Sequence, residues 1–405
     1  MLLKKTLRIL YYNFFCYIMV SPLILFFVFL SLFKKIRFGI IRSQRIGHTL
    51  ANTEFYLIDK KIETSHLNLD IIYKAKEIAN NQSLIMVKRK LKIFPSYIAH
   101  VHNFFRLFSK SKYEIPILKA SGERDVLNRL AKNKTEIDFT EEEMNYGKEY
   151  LLRNFGCNAD TEKIVYLCVR DSEYLNKALP RGNWDYHNYR DWNINNFIMG
   201  CEHLCSLGYK VFRIGKFTNQ RLISKNPNIF DYVNSEHRND FMDIYLAKIC
   251  KFAVSTGLGI DNAPLIFRKP IALIHVPLEF SYFHNNNLIM TQHHYSEIKK
   301  RNLSISEIFE EGKKINFKYN SLGYKKINIS LVQNNSQEIK DFFEEMHFRY
   351  SGTITDSEIY DKNLEIEFWK IFKFNLKKYN LESTHGILSG NISHSFLKKN
   401  PYFLN

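Results

Sequence analysis

An α/β fold built on parallel sheets is what this 405-residue sequence predicts, on three observations. Four short apolar runs read as buried strands: IVYLCV (164–169), YKVFRI (209–214), KFAVS (251–255) and IALIHV (271–276). Helical spacing separates them. Ile194, Phe197, Ile198, Cys201, Leu204 and Cys205 line one face ahead of Gly208, and Phe241, Ile244 and Ala247 suggest a second helix. Strands that alternate with helices form parallel sheets with right-handed crossovers. Finally, polar and glycine residues follow the strand ends, which is where such sheets bind ligands.

Length and composition bound the reading. At roughly 100–200 residues per domain, two or three domains are expected. Apolar residues make up 45% and charged residues 24%, an ordinary globular balance that excludes disordered and collagen-like classes. The net charge is +17, unevenly spread: residues 1–50 carry eight basic residues and no acid. Beside an apolar stretch, that excess argues for an anionic membrane surface before nucleic acid. Six cysteines without a CxxC pair or clustered histidines argue against a zinc site and against a disulfide framework, and suit a reducing compartment.

From the N-terminus, no charge occurs between Ile9 and Phe33. Those 25 residues would reach about 37 Å as a helix, enough for a bilayer core. Residues 1–34 are therefore expected to be a membrane anchor helix, spanning or lying in the plane around Pro22. A cleaved leader is disfavoured, because the first alanine is Ala51. Basic flanks predict that the body of the protein stays on the cytoplasmic face of the inner membrane.

A first domain is expected over 35–139. IRFGII (36–41) reads as a strand, RSQRIGH as a basic loop and TLANTEFYL as a helix, the opening of a Rossmann-like half. SLIMV (83–87) reads as a further strand, and the polar run near 121–139 as a linker. A second domain is expected over 140–330. Thr140 with Glu143 fits a capping box, Met144, Leu151, Leu152 and Phe155 give a helical face, and Gly156 ends it. Residues 336–347 and 363–376 read as amphipathic helices with core-packing faces. His293-His294 reads as a solvated loop, and Glu141-Glu142-Glu143 as a first helical turn.

The chemistry concentrates at strand ends. Arg170-Asp171 follows the first strand of the second domain, and Arg213 with Gly215-Lys216 the second. Thr256-Gly257-Leu258-Gly259 follows the third, at the start of a helix over 261–267. Arg170, Arg213 and Lys216 would neutralise a diphosphate, and the glycines would bring backbone N–H groups to it. A side chain with a pKa near neutrality suits proton transfer. His48, directly after Arg45-Ile46-Gly47, is the candidate base, with Glu54 orienting it or serving instead, and Arg42 and Arg45 form an acceptor loop. No Asp-x-Asp occurs, and no metal or other cofactor is expected.

The stretches VYLCVRDSEYL, YRDWNINNF, GYKVFRIGK and DFMDIYLAKICKFAVSTGLGI resemble a family of bacterial glycosyltransferases tied to surface-polysaccharide assembly. The likeness extends to IRFGIIRSQRIGHTLANTEFYL and to ISHSFLKKNPYFL. The third-strand loop is similar, more distantly, to the glycine loop of heptosyltransferase-like enzymes, although STGLGI spaces its glycines differently. The resemblance implies two Rossmann-like domains facing a cleft, the B-type glycosyltransferase fold, with the donor bound mainly by the second domain. In that two-domain fold 331–405 would return to brace the first domain. The function it implies is sugar transfer from a nucleotide-sugar donor to a lipid-linked or growing surface-glycan acceptor, without metal and without nucleic acid as a partner. A nucleotide-sugar epimerase on the same fold and a non-catalytic membrane-bound nucleic-acid or glycan binder are the alternatives.

Overall fold

A computed structural model describes residues 17–63, 68–109, 112–118, 125–178, 180, 182–283 and 287–405. The chain divides into two units. One is Met1–Glu123 with Thr135–Asp138; the other is Arg124–Lys134 with Phe139–Asn405.

In the first unit, helix α1 (described over 17–30) leads into strand β1 (Lys35–Ile41), α2 (Thr53–Ile62), β2 (Asn68–Lys74), α3 (Asn81–Lys90), β3 (Ile93–Phe94) and α4 (Ile98–Phe108). The strands form a parallel sheet in the order β1-β2-β3. The segment around Glu114 adds to the other edge of β1. Gly39 admits that close approach: a Cβ there would stand 2.7 Å from Leu118 Cδ1. The SLIMV run expected as a strand is instead the middle of α3. A short apolar run fits either period. The flanks decide: the Asn80 side chain accepts the Ser83 N–H at 2.8 Å, and Lys88, Arg89 and Lys90 occupy the last turn, where cations suit the helix dipole.

The apolar N-terminal run is described from residue 17. Among the described residues no helix is long and apolar enough to cross a membrane. Val20, Ile24 and Phe27 instead pack into a core with Ile36, Phe38 and Phe105. Residues 1–16, which hold the start of the expected anchor and Cys16, lie outside the described residues.

The second unit begins with α5 (Arg129–Lys132), inside the run read as a linker, where both Asp125 carboxylate oxygens accept backbone N–H groups of Arg129 and Leu130 at 2.6 and 3.0 Å. Next come α6 (Glu141–Phe155), β4 (Lys163–Cys168), α7 (Glu173–Ala178), α8 (Ile198–Ser206), β5 (Tyr209–Arg213), β6 (Ile229–Phe230), α9 (Asp240–Ile249), β7 (Phe252–Ser255), α10 (Asn262–Ile266), β8 (Ile271–Ile274) and β9 (Leu288–Met290). The capping box of Thr140 and Glu143 is formed at 3.2 and 3.0 Å, and Gly156 ends α6 with φ +59°. After these follow β10 (His293–Ser296), β11 (Arg301–Asn302), α11 (Ile305–Lys314), α12 (Ser321–Lys326), β12 (Ile329–Val332), α13 (Ser336–Ser351), α14 (Lys362–Lys378), β13 (Asn391–Ile392) and α15 (His394–Lys399).

A seven-stranded parallel sheet runs β6-β5-β4-β7-β8-β9-β13. Its first six strands, taken in chain order from β4, follow the doubly wound order 3-2-1-4-5-6. A small antiparallel sheet, β11-β10-β12, stands beside it in sequence. Cys157, Cys168, Cys201, Cys205 and Cys250 are free and buried, as small apolar side chains. The C-terminal residues expected to brace the first domain belong to the second unit. Phe343 of α13 lies on Gly200 of α8, and β13 pairs with β9. His293-His294, expected in a solvated loop, forms strand β10. His293 contacts Tyr402 at 2.7 Å and Glu338 at 3.0 Å, and burial pushes His294 down to about 4.

One polar bracket ties the first unit together. Arg37 faces Asp70 across the β1–β2 register at 2.7 Å and grips Glu63 at 2.8 Å, while Tyr56 donates to Asp70 at 2.7 Å. Burial alone would raise the Asp70 carboxyl, but hydrogen bonds from Arg37, Tyr56 and Lys60 outweigh it and hold it below its usual value. Asp70→Asn is expected to cost about 1.5–3 kcal/mol in urea unfolding at neutral pH. Because the folded pKa is depressed, this stabilisation is complete above the unfolded value of about 4 and is lost as pH falls through the folded one. The variant should lose that part of the acid dependence.

Candidate functional site

In the doubly wound order the chain departs from β4 to one side and returns through β7 on the other, which opens a crevice at the carboxyl ends of these two strands. The register sets Cys168 against Ser255, so the residues after each strand emerge side by side. The Thr256 hydroxyl accepts the Arg170 N–H at 2.9 Å, and Thr256 N–H donates to the Cys168 carbonyl at 3.1 Å. Arg170 and the Thr256-Gly257 turn thus form one stitched rim.

The turn itself is held from below. Gly257 has φ +78°, and a Cβ there would stand 2.6 Å from the His275 ring at the end of β8. The Ser255 hydroxyl accepts the Gly257 N–H at 3.0 Å and donates to Asp261 Oδ2 at 2.8 Å; the same oxygen accepts the Leu258 N–H at 3.0 Å. Burial pushes the Asp261 carboxyl up to about 6 against these two stabilising bonds. Gly259 opens the short turn that leads into α10, and its carbonyl accepts from Asn262 at 3.2 Å.

The other expected donor residues divide by what they touch. Arg170 is 8% exposed, and burial followed by the neighbouring Arg190 lowers its pKa. Its Nε lies 3.1 Å from Asp191 Oδ1, a charge contact outside hydrogen-bond angles, and its buried Nη2 has no hydrogen-bond partner. Arg213 is 1% exposed; its Nη1 donates to the Gln220 carbonyl at 2.6 Å and to Asp231 at 3.2 Å, while its buried Nε has no hydrogen-bond partner. Its Nη1 holds the 220–231 segment. Asp171 links loops: its two oxygens accept the N–H groups of Glu173 at 3.0 Å and Asn219 at 2.9 Å. That bond draws the Lys216–Asn219 loop toward the end of β4, with Lys216 half-buried in it.

The sequence reading passed over Asp191, Tyr189 and Tyr324. A cavity of about 450 Å³ opens beside Asp191, lined also by Tyr189, Gln292, Tyr324, Ser330 and Gln333. The Tyr189 and Tyr324 rings lie 5.2 Å apart, and the buried Tyr324 hydroxyl has no hydrogen-bond partner. The YRDW string was the available signal, but nothing local tells that its tyrosine meets a residue 135 positions later. His275 and Asp261 were passed over for the same reason.

In the first unit, Arg42, Arg45 and His48 cluster on the loop after β1. His48 begins a short π-helical turn (His48–Asn52) and is half-buried, with Nδ1 lacking a hydrogen-bond partner. Burial, then Arg45 and Arg42, push its pKa down to about 4, so the imidazole is neutral at neutral pH. Glu54 does not fit the role of base. It is fully buried, and its carboxylate accepts the backbone N–H groups of Glu136 and Ile137 at 3.0 Å each. It fastens the returning 135–138 segment onto α2. Among the described residues, no group of three or more His, Cys, Asp or Glu side chains is placed to hold a metal ion.

No family model matches the chain, and no curated protein matches it significantly. Among solved structures it is similar to a glycosyl transferase family 9 protein from Veillonella parvula DSM 2008, at 12% identity and a TM-score of 0.44, over 78% of this chain and 98% of that one. It is also similar to ADP-heptose LPS heptosyltransferase II of E. coli, at 9% identity and a TM-score of 0.36, over 59% of this chain and 84% of that one. These values are too distant to carry residue roles across.

Gly257→Ala is expected to destabilise the second unit by at least about 1–2 kcal/mol, because the left-handed backbone and the His275 contact both oppose a Cβ. Chemical denaturation reads this directly. Asp261 makes a pH-dependent contribution of opposite sign to Asp70. Its folded pKa is raised, so the folded state holds an extra proton between about pH 4 and about 6, and stability falls as pH rises through that window. Melting temperatures recorded across it should show the slope reduced in Asp261→Asn.

Proposed function

We infer that the chain is a glycosyltransferase that moves a sugar from a nucleotide-sugar donor to a lipid-linked or growing glycan acceptor at the cytoplasmic face of the membrane. The observation that carries this reading is the Arg170 guanidinium, buried with Nε and Nη2 unsatisfied, beside the Thr256-Gly257 turn at the switch point of a doubly wound sheet. A buried donor without a partner is costly, and an anionic ligand supplies the acceptor it lacks. Lys216 adds charge from the neighbouring loop. The cavity beside Asp191 has the mixed polar and aromatic lining that suits the sugar.

In this reading the acceptor oxygen attacks the anomeric carbon, the carbon–oxygen bond to the diphosphate breaks, and the nucleoside diphosphate leaves with the electron pair. Arg170 and Lys216 stabilise the charge that develops there; the Thr256, Gly257 and Leu258 N–H groups, expected as diphosphate donors, are instead spent on Cys168, Ser255 and Asp261 within the turn. The acceptor's proton passes to a base, for which neutral His48 of the first unit is the candidate. Its low pKa makes it a weak base but keeps it unprotonated well below neutrality.

A melting-temperature screen of nucleoside diphosphates tests the donor site: a ligand at 100 times its Kd should stabilise by about 2.7 kcal/mol. Lys216→Ala should fold normally and lose roughly ten- to a hundredfold in donor affinity. Arg213→Ala should instead lose stability. If every nucleotide sugar binds Lys216→Ala and Arg170→Ala as it binds wild type, the site is misassigned. His48→Gln should lower turnover by roughly 10²–10⁴ with donor affinity spared, and retained turnover at saturating acceptor would remove His48 as the base.

A further inference from the structure

Helix α1 is apolar on both faces, and only one of them is used. Val20, Ile24 and Phe27 fill the core of the first unit. On the opposite side Met19, Leu25, Phe26 and Phe29, with Leu32 and Phe33 in the turn that follows, are 53–78% exposed. A helix that meets water carries polar or charged residues on its outer face; here no charged residue occurs from Ile9 to Phe33. The two serines in this stretch turn their hydroxyls back onto the backbone. The Ser21 hydroxyl donates to the Ile18 carbonyl at 2.7 Å, and Ser31 donates to Val28 at 2.6 Å. Each thereby satisfies its donor within the helix, as side chains must where no water is available.

Charge adjoins the apolar face directly. Lys34 and Lys35 are exposed at its end, and the first fifty residues contain eight basic side chains and no acidic one. We propose that the outer face of α1 is a docking surface for an anionic lipid bilayer, with the helix lying in the headgroup region and Lys34 and Lys35 on the phosphates. The core contacts of Val20, Ile24 and Phe27 hold α1 to its unit, so it enters the interface sideways and does not traverse it. A second copy of the chain would bring the same basic flank, and the carboxylates of Glu63 and Asp70 beside it are already engaged by Arg37 and Lys60. An anionic surface supplies both the apolar region and the countercharge. The inference is independent of the donor chemistry and concerns where the enzyme works.

Flotation of the full chain with phosphatidylcholine vesicles, with and without phosphatidylglycerol, tests it. Wild type should float with the anionic vesicles, less so in high salt. Replacing both Lys34 and Lys35 by Gln should lower partitioning, by about fivefold for each lysine. Leu25→Glu with Phe29→Glu should abolish flotation while melting temperature and circular dichroism stay near wild type. Leu32→Ser with Phe33→Ser, in the turn beyond the helix, provides a second variant pair less able to disturb folding and should weaken flotation. Wild type that fails to float, or folded variants that all float like wild type, would overturn the proposal. So would a wild-type dimer that the glutamate variant converts to monomers without any vesicle binding.

Discussion

The second unit depends on one junction, where β4 and β7 lie adjacent although the chain leaves and returns on opposite sides of them. The alignment of Cys168 with Ser255 fixes how far each strand runs before its loop begins. A shift of one residue would invert the side chains of either strand and carry Arg170 or Thr256 to the wrong face. With the register set, the Thr256 hydroxyl can take the Arg170 N–H, Gly257 can settle over His275, and Asp171 can draw in the loop that carries Lys216. The site is therefore a consequence of strand order, not of any one motif.

Burial then sorts the charges that this edge collects. Arg213 donates through Nη1 to two acceptors of its own chain and leaves only Nε unmet, whereas Arg170 leaves both Nε and Nη2 unmet. The two arginines look equivalent in sequence, each at a strand end, and differ only in what surrounds them. The same holds for carboxylates. Two backbone donors consume Glu54, while desolvation lifts Asp261 toward neutrality even though two donors hold it. In the first unit the loop arginines act against protonation of His48, so a basic loop and a neutral imidazole are parts of one arrangement.

Much of the parallel fold was legible because its strands are buried on both sides and read as continuous apolar runs. The capping box at Thr140, the stop at Gly156 and the strands starting near 164, 209, 252 and 271 are local features, set by residues within a few positions of one another. The short run at 83–87 was not decidable in this way, because its period fits a strand or a helix and the Asn80 cap settles the matter. Glycine position was legible too: Gly257 must occupy a left-handed turn whatever the ligand.

By itself the sequence determined the α/β class, the alternation of elements, the cluster of cations and glycines at strand ends, and the uncharged N-terminal run. Those properties follow from composition and from interactions within one or two turns of chain. The tertiary structure decided that Arg170 keeps two unmet nitrogens at the rim, that Glu54 is a fastener, that Tyr189 meets Tyr324, and that the C-terminal helices belong to the second unit. It also showed that, among the described residues of the N-terminal run, Val20, Ile24 and Phe27 enter the core while Met19, Leu25, Phe26 and Phe29 stay exposed. These outcomes depend on partners far away in the chain, and the energy of a buried charge is set by the partner it finds, which no local pattern specifies.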